Sequence, residues 1–286
     1  AFYRRTHRRP RVIPEPAPAR GDVAPVPRRP ASELAAANHP VLTALLWSAA
    51  ALYAAAFLAA ALRPAWGRPV LALGALTHLA GMVGRGLAIE FFPLTNKMES
   101  FSCASLAAAL VALLVWRDDR LHDLPMAGAV LAAMAAALAF PPDLAWPPPL
   151  MRTVWYPIHV PLSFLAYAAW TAAAVAALGW LRDRDAAALS RVDRRALWGF
   201  GLWSLSMIAG GLWGVLAWGA YFLWDPKVIW SVILWFHYAT FVHLRLTPSL
   251  QGRPWVRPAL ALAGFAFVLT AYVGTSFLFG RSSHAF

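Results

Sequence analysis

Long apolar runs separated by short polar breaks dominate the chain after residue 40. They fall at 41–62, 69–89, 100–116, 125–140, 157–181, 197–217, 228–246 and 259–279. Crossing the hydrocarbon of a bilayer takes about 20 helical residues. The pattern therefore predicts an all-α fold, a polytopic integral membrane helical bundle of about eight transmembrane helices with both ends on one side. The fourth run is the shortest of the eight. Residues 1–38 break the pattern: rich in Pro, Arg and Ala and without periodic apolar spacing, they are predicted to form a basic disordered or extended arm. That arm is either a solvated tether or a contact for anionic lipid or a partner protein.

Composition agrees with the membrane class. The chain is 60% hydrophobic and 13% charged, where soluble domains carry roughly 25% charged residues. A net charge of +12 raises nucleic acid as a ligand, but the basic residues sit in short breaks between apolar runs, as membrane topology demands, so nucleic-acid binding is excluded. The breaks after runs one, three, five and seven hold twelve arginines, while the opposite breaks and the C-terminus hold only Lys97, Arg152, Lys227 and Arg281. By the positive-inside rule the first group is cytoplasmic. Residues 213–230 and the C-terminus then face outward, with 39–286 forming the transmembrane domain. The arm, with eight arginines, falls on the outer side against the rule; the four breaks agree with one another and outweigh it. Cys103, the single cysteine, excludes an internal disulfide or a CxxC redox pair and is expected to be a small buried hydrophobe.

Histidines at membrane depth are costly and often functional. His78 and His243 fall in the inner half of the membrane, while His159 and His284 fall at the outer side. Paired imidazoles suit a six-coordinate haem iron; the alternative is that each histidine bonds a neighbouring backbone or hydroxyl group. His237 is expected to be structural, and His122, in a cytoplasmic break, to be solvated. Arg85, about two turns after His78, needs an anion: a haem propionate, or more simply Glu90 or Glu99.

The stretch Trp218–Trp230, WGAYFLWDPKVIW, concentrates large rings beside Asp225-Pro226-Lys227. Such rings read either as an interfacial aromatic belt or as a shaped platform for a flat apolar ligand. The stretch resembles the tryptophan-rich WWD signature of haem-handling proteins, in the form carried by the CcsA/ResC (CcsB) family of system II cytochrome c biogenesis. FFPLTNKMES, WYPIHVPLSFLAYA, FVHLRL and GTSFLFGRSSHAF resemble further segments of that family, in the same order. The chain departs from the family pattern at Phe222, at Val228-Ile229 after DPK, and at its last residues.

The resemblance implies haem transport across a bacterial inner membrane, or its equivalent, and presentation of haem at an external WWD site for covalent attachment to apocytochrome c. The cofactor is a b-type, non-covalently held haem. His78 and His243 are implied as the inner iron ligands, and His159 and His284 as the outer ones, with Arg85 beside the inner pair. Trp218, Tyr221, Trp224, Asp225 and Trp230 line the platform, and His159, His284 and Asp225 serve the attachment step. Lys227 pairs with a propionate or with Asp225. The partners implied are a ResB-like membrane protein, an apocytochrome bearing CxxCH, thiol-reducing proteins and membrane lipid. The alternative function is a non-catalytic haem-binding subunit that keeps the scaffold within a larger complex.

Overall fold

In a computed structural model of the protein, the structure describes residues 40–62, 64–244, 246–247 and 253–277. The arm at 1–38 and His284 lie outside the described residues. Among those residues every regular element is helical: α1 (Pro40–Leu62), α2 (Pro64–Ala88), α3 (Lys97–Val115), α4 (Arg120–Leu138), α5 (Tyr156–Asp183), α6 (Ala186–Trp218), α7 (Pro226–Leu244) and α8 (Val256–Leu269). The last continues through a π-helical turn, Thr270–Gly274, to Phe277. All eight are long and apolar enough to cross a membrane, and the protein is an integral membrane helical bundle.

Helix α5 is the central strut, packed against α3, α4, α6 and α8. Its run of buried alanines, including Ala166, Ala169, Ala172, Ala173, Ala176 and Ala177, explains this. With lipid as solvent, helices associate through close backbone approach at small residues rather than through a hydrophobic driving force. Around α5 one apolar cluster joins α1 to α5, and a second joins α5 to α8. The outer faces of α2, α6 and α7 keep Leu76, Val83, Leu205, Ile208 and Phe236 exposed, as lipid-facing surfaces require.

Two corrections concern the arginine-rich end. The break expected before residue 197 is helical, because Asp185 caps α6 by accepting the Ala188 N–H, so Arg191, Arg194 and Arg195 ride on its first turns. His122 is buried rather than solvated. Its Nε2 receives a hydrogen bond from Arg195 Nη1 (2.9 Å), which leaves Nδ1 to donate to Asp123 Oδ1 (2.7 Å). Arg195 also reaches the Ala172 carbonyl (2.9 Å), so this polar knot ties α4 to α5 and α6. Desolvating a histidine is tolerable where both ring nitrogens find partners.

At the opposite end the connections α2–α3 and α4–α5 are held by one buried ion pair. Arg85 Nε and Nη2 both lie 2.9 Å from Glu99 Oε1, and Glu99 Oε2 accepts from Thr95 N (2.7 Å) and Thr95 Oγ1 (2.8 Å). Arg85 also donates to the carbonyls of Pro142 (2.8 Å) and Asp143 (2.9 Å). Of the anions open to Arg85, Glu99 is therefore the one it meets.

Candidate functional site

Helix ends converge at the face opposite the arginine-rich one, and a cavity of about 250 Å³ opens between them, close to the lower end of the about 300–1,000 Å³ usual for small-molecule sites. Its walls come from the starts of α3, α5 and α7, the last turns of α6 and α8, and the α6–α7 connection.

The local sequence shapes that connection. Gly219 adopts φ 74° and closes α6, its N–H bonding the Val215 carbonyl (3.0 Å); glycine enters this left-handed region without strain. Asp225 Oδ1 accepts the Lys227 N–H (2.9 Å) and Pro226 is the first residue of α7. The Asp-Pro pair is thus an N-cap followed by proline, the combination that starts a helix.

His159 lies one turn into α5 and faces the cavity. Its Nδ1 is 2.8 Å from the Ser206 carbonyl oxygen. A carbonyl only accepts, so Nδ1 carries the proton and a neutral ring leaves a lone pair on Nε2. That arrangement, with one ring nitrogen anchored by a carbonyl, is the usual support of a metal-bound imidazole. Trp213 stands beside the ring (centroids 6.1 Å, 26° between planes) and is itself pinned by Nε1 donating to the Leu150 carbonyl (2.7 Å).

Close packing of α5 on α6 requires small residues opposite His159. Ser206 and Gly210, four residues apart on one face of α6, both meet the ring. A Cβ built on Gly210 would sit 2.7 Å from His159 Nδ1 and Cε1, closer than real carbon contacts come. Gly210→Ala is therefore expected to displace the imidazole and weaken ligand binding by about 10- to 100-fold, the range for losing a metal ligand's support. Titration of the purified variant with haem checks this.

The other residues that the sequence analysis singled out divide by position. Trp218 and Tyr221 line the cavity, Trp218 packing edge-on against Trp213 (4.7 Å). Trp224 is 87% exposed and meets Phe222 edge-on (5.2 Å). Trp230 turns toward α8 and packs on Phe267 (6.0 Å). Asp225 is buried at the cap of α7, and Arg85 is engaged with Glu99 outside the cavity lining.

The structure does not bring the inner histidines together. His78 is buried with both ring nitrogens engaged, Nδ1 by Tyr53 OH (3.1 Å) and Nε2 by Ser102 Oγ (2.6 Å). His243 is exposed on α7 with Nδ1 on the Ala239 carbonyl (2.7 Å), and α2 and α7 form no packed interface among the described residues. His237 Nε2 bonds the Leu260 carbonyl (2.9 Å), which fits its structural role.

Several cavity residues carried no decisive signal in the sequence. Tyr156, Tyr167, Trp203 and Tyr272 complete the aromatic wall. Tyr272 sits in the π-helical turn of α8, its hydroxyl 3.1 Å from Ser100 Oγ; such turns recur at functional sites. The one available hint was spacing: Tyr156, His159, Ser163 and Tyr167 lie on one face of α5.

The chain is similar to known proteins. The family model described as "Cytochrome C assembly protein" matches residues 41–280. The cytochrome c biogenesis protein CcsA of Synechococcus sp. (strain CC9605) is 28% identical over 77% of this chain and 86% of its own length. CcsA of Thermosynechococcus vestitus is likewise 28% identical, over 77% and 86%, and CcsA of Prochlorococcus marinus (strain AS9601) is 28% identical over 68% and 76%. Among solved structures, the cytochrome c heme lyase CcmF superposes with a TM-score of 0.62 at 19% identity, over 82% of this chain and 45% of that one. At that identity the likeness is one of fold.

Proposed function

Because the chain belongs to the cytochrome c assembly protein family, we propose that its cavity presents haem for covalent attachment to an apocytochrome c, as a synthase subunit. The observation that carries the reading is the His159 ring in the wall of an aromatic-lined cavity, with Nδ1 anchored on the Ser206 carbonyl and the lone pair therefore on Nε2. Haem is here the cargo, and what it supplies is the iron and the two vinyl groups. Each vinyl takes up a cysteine thiol of the CxxCH segment: sulfur bonds one vinyl carbon, the thiol proton ends on the other, and no electrons are exchanged overall.

The chain's own residues do positioning work. His159 offers Nε2 to the iron, while Trp213 and Trp218 offer ring faces and edges to a flat apolar body. Holding the acceptor still in a cavity open at one side converts a bimolecular encounter into an oriented one, and this proximity is the main catalytic resource available. His284, which lies outside the described residues, is the second iron ligand in this proposal.

The arginine-rich end would be cytoplasmic and the cavity external, in a bacterial inner membrane or its equivalent. Haem transport through the inner pair belongs to the same proposal. It requires His78 to release Tyr53 and Ser102 and α7 to approach α2. A ResB-like partner and thiol-reducing proteins complete it, because Cys103 is buried and alone.

Co-expression with an apocytochrome and a ResB-like partner, in a strain lacking its own maturation system, separates this function from a scaffold role. Holocytochrome that stains for covalent haem is the expected product. A chain that binds haem and yields no holocytochrome there is a non-catalytic subunit.

A further inference from the structure

Two lysines from different helices enter the cavity wall beside each other. Lys97 opens α3 and Lys227 is the second residue of α7, and both line the cavity. The Lys97 ammonium lies 5.0 Å from the centre of the Phe277 ring. The Lys227 ammonium lies 3.4 Å from Ser276 Oγ. Ser276 and Phe277 are neighbours in sequence, so both cations approach the same turn, Thr275–Phe277.

The two contacts are to a hydroxyl and to a ring face, and neither supplies a negative charge to offset the two positive ones. Among the described residues, none of those lining the cavity is acidic. The carboxylate of Glu99, on the same turn of α3 as Lys97, is taken up by Arg85 and Thr95. Asp225 lies by the α7 start, and its Oδ1 is bound to the Lys227 backbone N–H; it supplies at most one negative charge against two. Both lysines also stand at helix N-termini, whose partial positive charge adds to theirs. Away from this point the walls are aromatic and apolar: Tyr156, Phe164, Trp203, Trp213 and Val232. A cavity cationic at one place and apolar elsewhere fits a flat apolar molecule with its anionic groups on one edge.

We propose that Lys97 and Lys227 form a carboxylate clamp that selects a dicarboxylate porphyrin and sets which edge of it enters first. The inference rests on the haem reading of the cavity and deepens it. A porphyrin iron on His159 still has several ways to rotate about the iron–nitrogen bond. A clamp on the two propionates would leave one, and so hold the opposite, vinyl-bearing edge in a constant place for the incoming thiols. Lys97 and Lys227 are positioning residues in this account, distinct from the group that touches the iron.

The test compares two probes on detergent-purified full-length protein: iron protoporphyrin IX and its dimethyl ester, which keeps ring, iron and vinyls but lacks both negative charges. Binding is followed by the histidine-ligated absorption spectrum. The wild type is expected to bind the diacid at least about tenfold more tightly than the ester, since hydrogen bonds between charged groups are the strong ones. The pair Lys97→Gln and Lys227→Gln, made together, is expected to remove that preference while retaining the spectrum of the bound ester. Equal affinity of the wild type for both probes overturns the clamp and leaves the haem reading standing. A double variant that keeps the full preference also overturns it. A wild type that gives a histidine-ligated spectrum with neither probe overturns the haem reading and the clamp together.

Discussion

His159→Ala is expected to abolish stable haem ligation in the cavity, the largest functional effect of any single substitution described. Removing a carbonyl or carboxylate that merely supports a metal-bound histidine costs about 10- to 100-fold in affinity, and removing the imidazole removes the ligand itself. The protein should remain folded. Among the described residues the His159 ring hydrogen-bonds to Ser206 alone, through its carbonyl (2.8 Å) and hydroxyl (3.0 Å), and the Ser163–Ser206 bond (2.6 Å) still joins α5 to α6. Absorption spectra with and without added imidazole separate ligation from folding. Imidazole diffusing into the vacated space is expected to restore the spectrum in part, whereas a folding defect would show no rescue.

The largest effect on stability is expected at Arg85 and Glu99. Both side chains are buried, and removing one partner of such a pair costs about 3–5 kcal/mol because the other charge is stranded. Arg85→Met should be the worse single change. It also frees the Pro142 and Asp143 carbonyls, so the α4–α5 connection loses its tie to α2. Glu99→Gln should be milder, since a neutral amide oxygen still accepts from Arg85. Replacing both residues with methionine should recover much of the loss, because well-packed apolar groups often equal a buried ion pair. Unfolding of the purified variants by titrated denaturing detergent, monitored by circular dichroism, measures the series. Haem affinity should fall with stability here, because the Glu99 carboxylate ties Thr95 and Arg85 to the first turn of α3, from which Lys97, Ser100 and Phe101 reach the cavity.

The eight spans were legible because run length and apolarity are enough to mark a membrane helix. Depth was legible too: breaks and charges placed His159 and the Trp218–Trp230 stretch at one end, and the cavity lies there. Position around each helix was not. His78 and His243 read as sharing a depth, yet His78 lies near the middle of α2, His243 lies beside the end of α7, and the two helices do not pack; where a helix ends and which way it faces are not set by the length of its apolar run. The same gap separates Trp218, on the cavity wall, from Trp224 in the connection and Trp230 on the α8 side of α7. A run of rings close in sequence spreads over three directions once a helix ends at Gly219 and the next begins at Pro226. His122 was misplaced for a related reason. A break between spans is polar on average, but Arg195 reaches it only because α6 starts earlier than its apolar run, at Ala186.

The family and its assembly function were readable from short motifs whose order survives in this chain, while the shape of the site was not. Gly210 carries no signal in the sequence; the ring of His159 packed over it is what excludes a side chain there. Lys97 read as a connecting-segment charge until α3 and α7 are seen to start beside the same cavity.

The most direct test of the central claim is the absorption spectrum of the full-length protein, purified from cells supplied with haem, beside that of His159→Ala. The account predicts a Soret band with histidine-ligated features in the wild type that is lost or displaced in the variant. No Soret band under any expression condition, or spectra identical in wild type and variant, would contradict it.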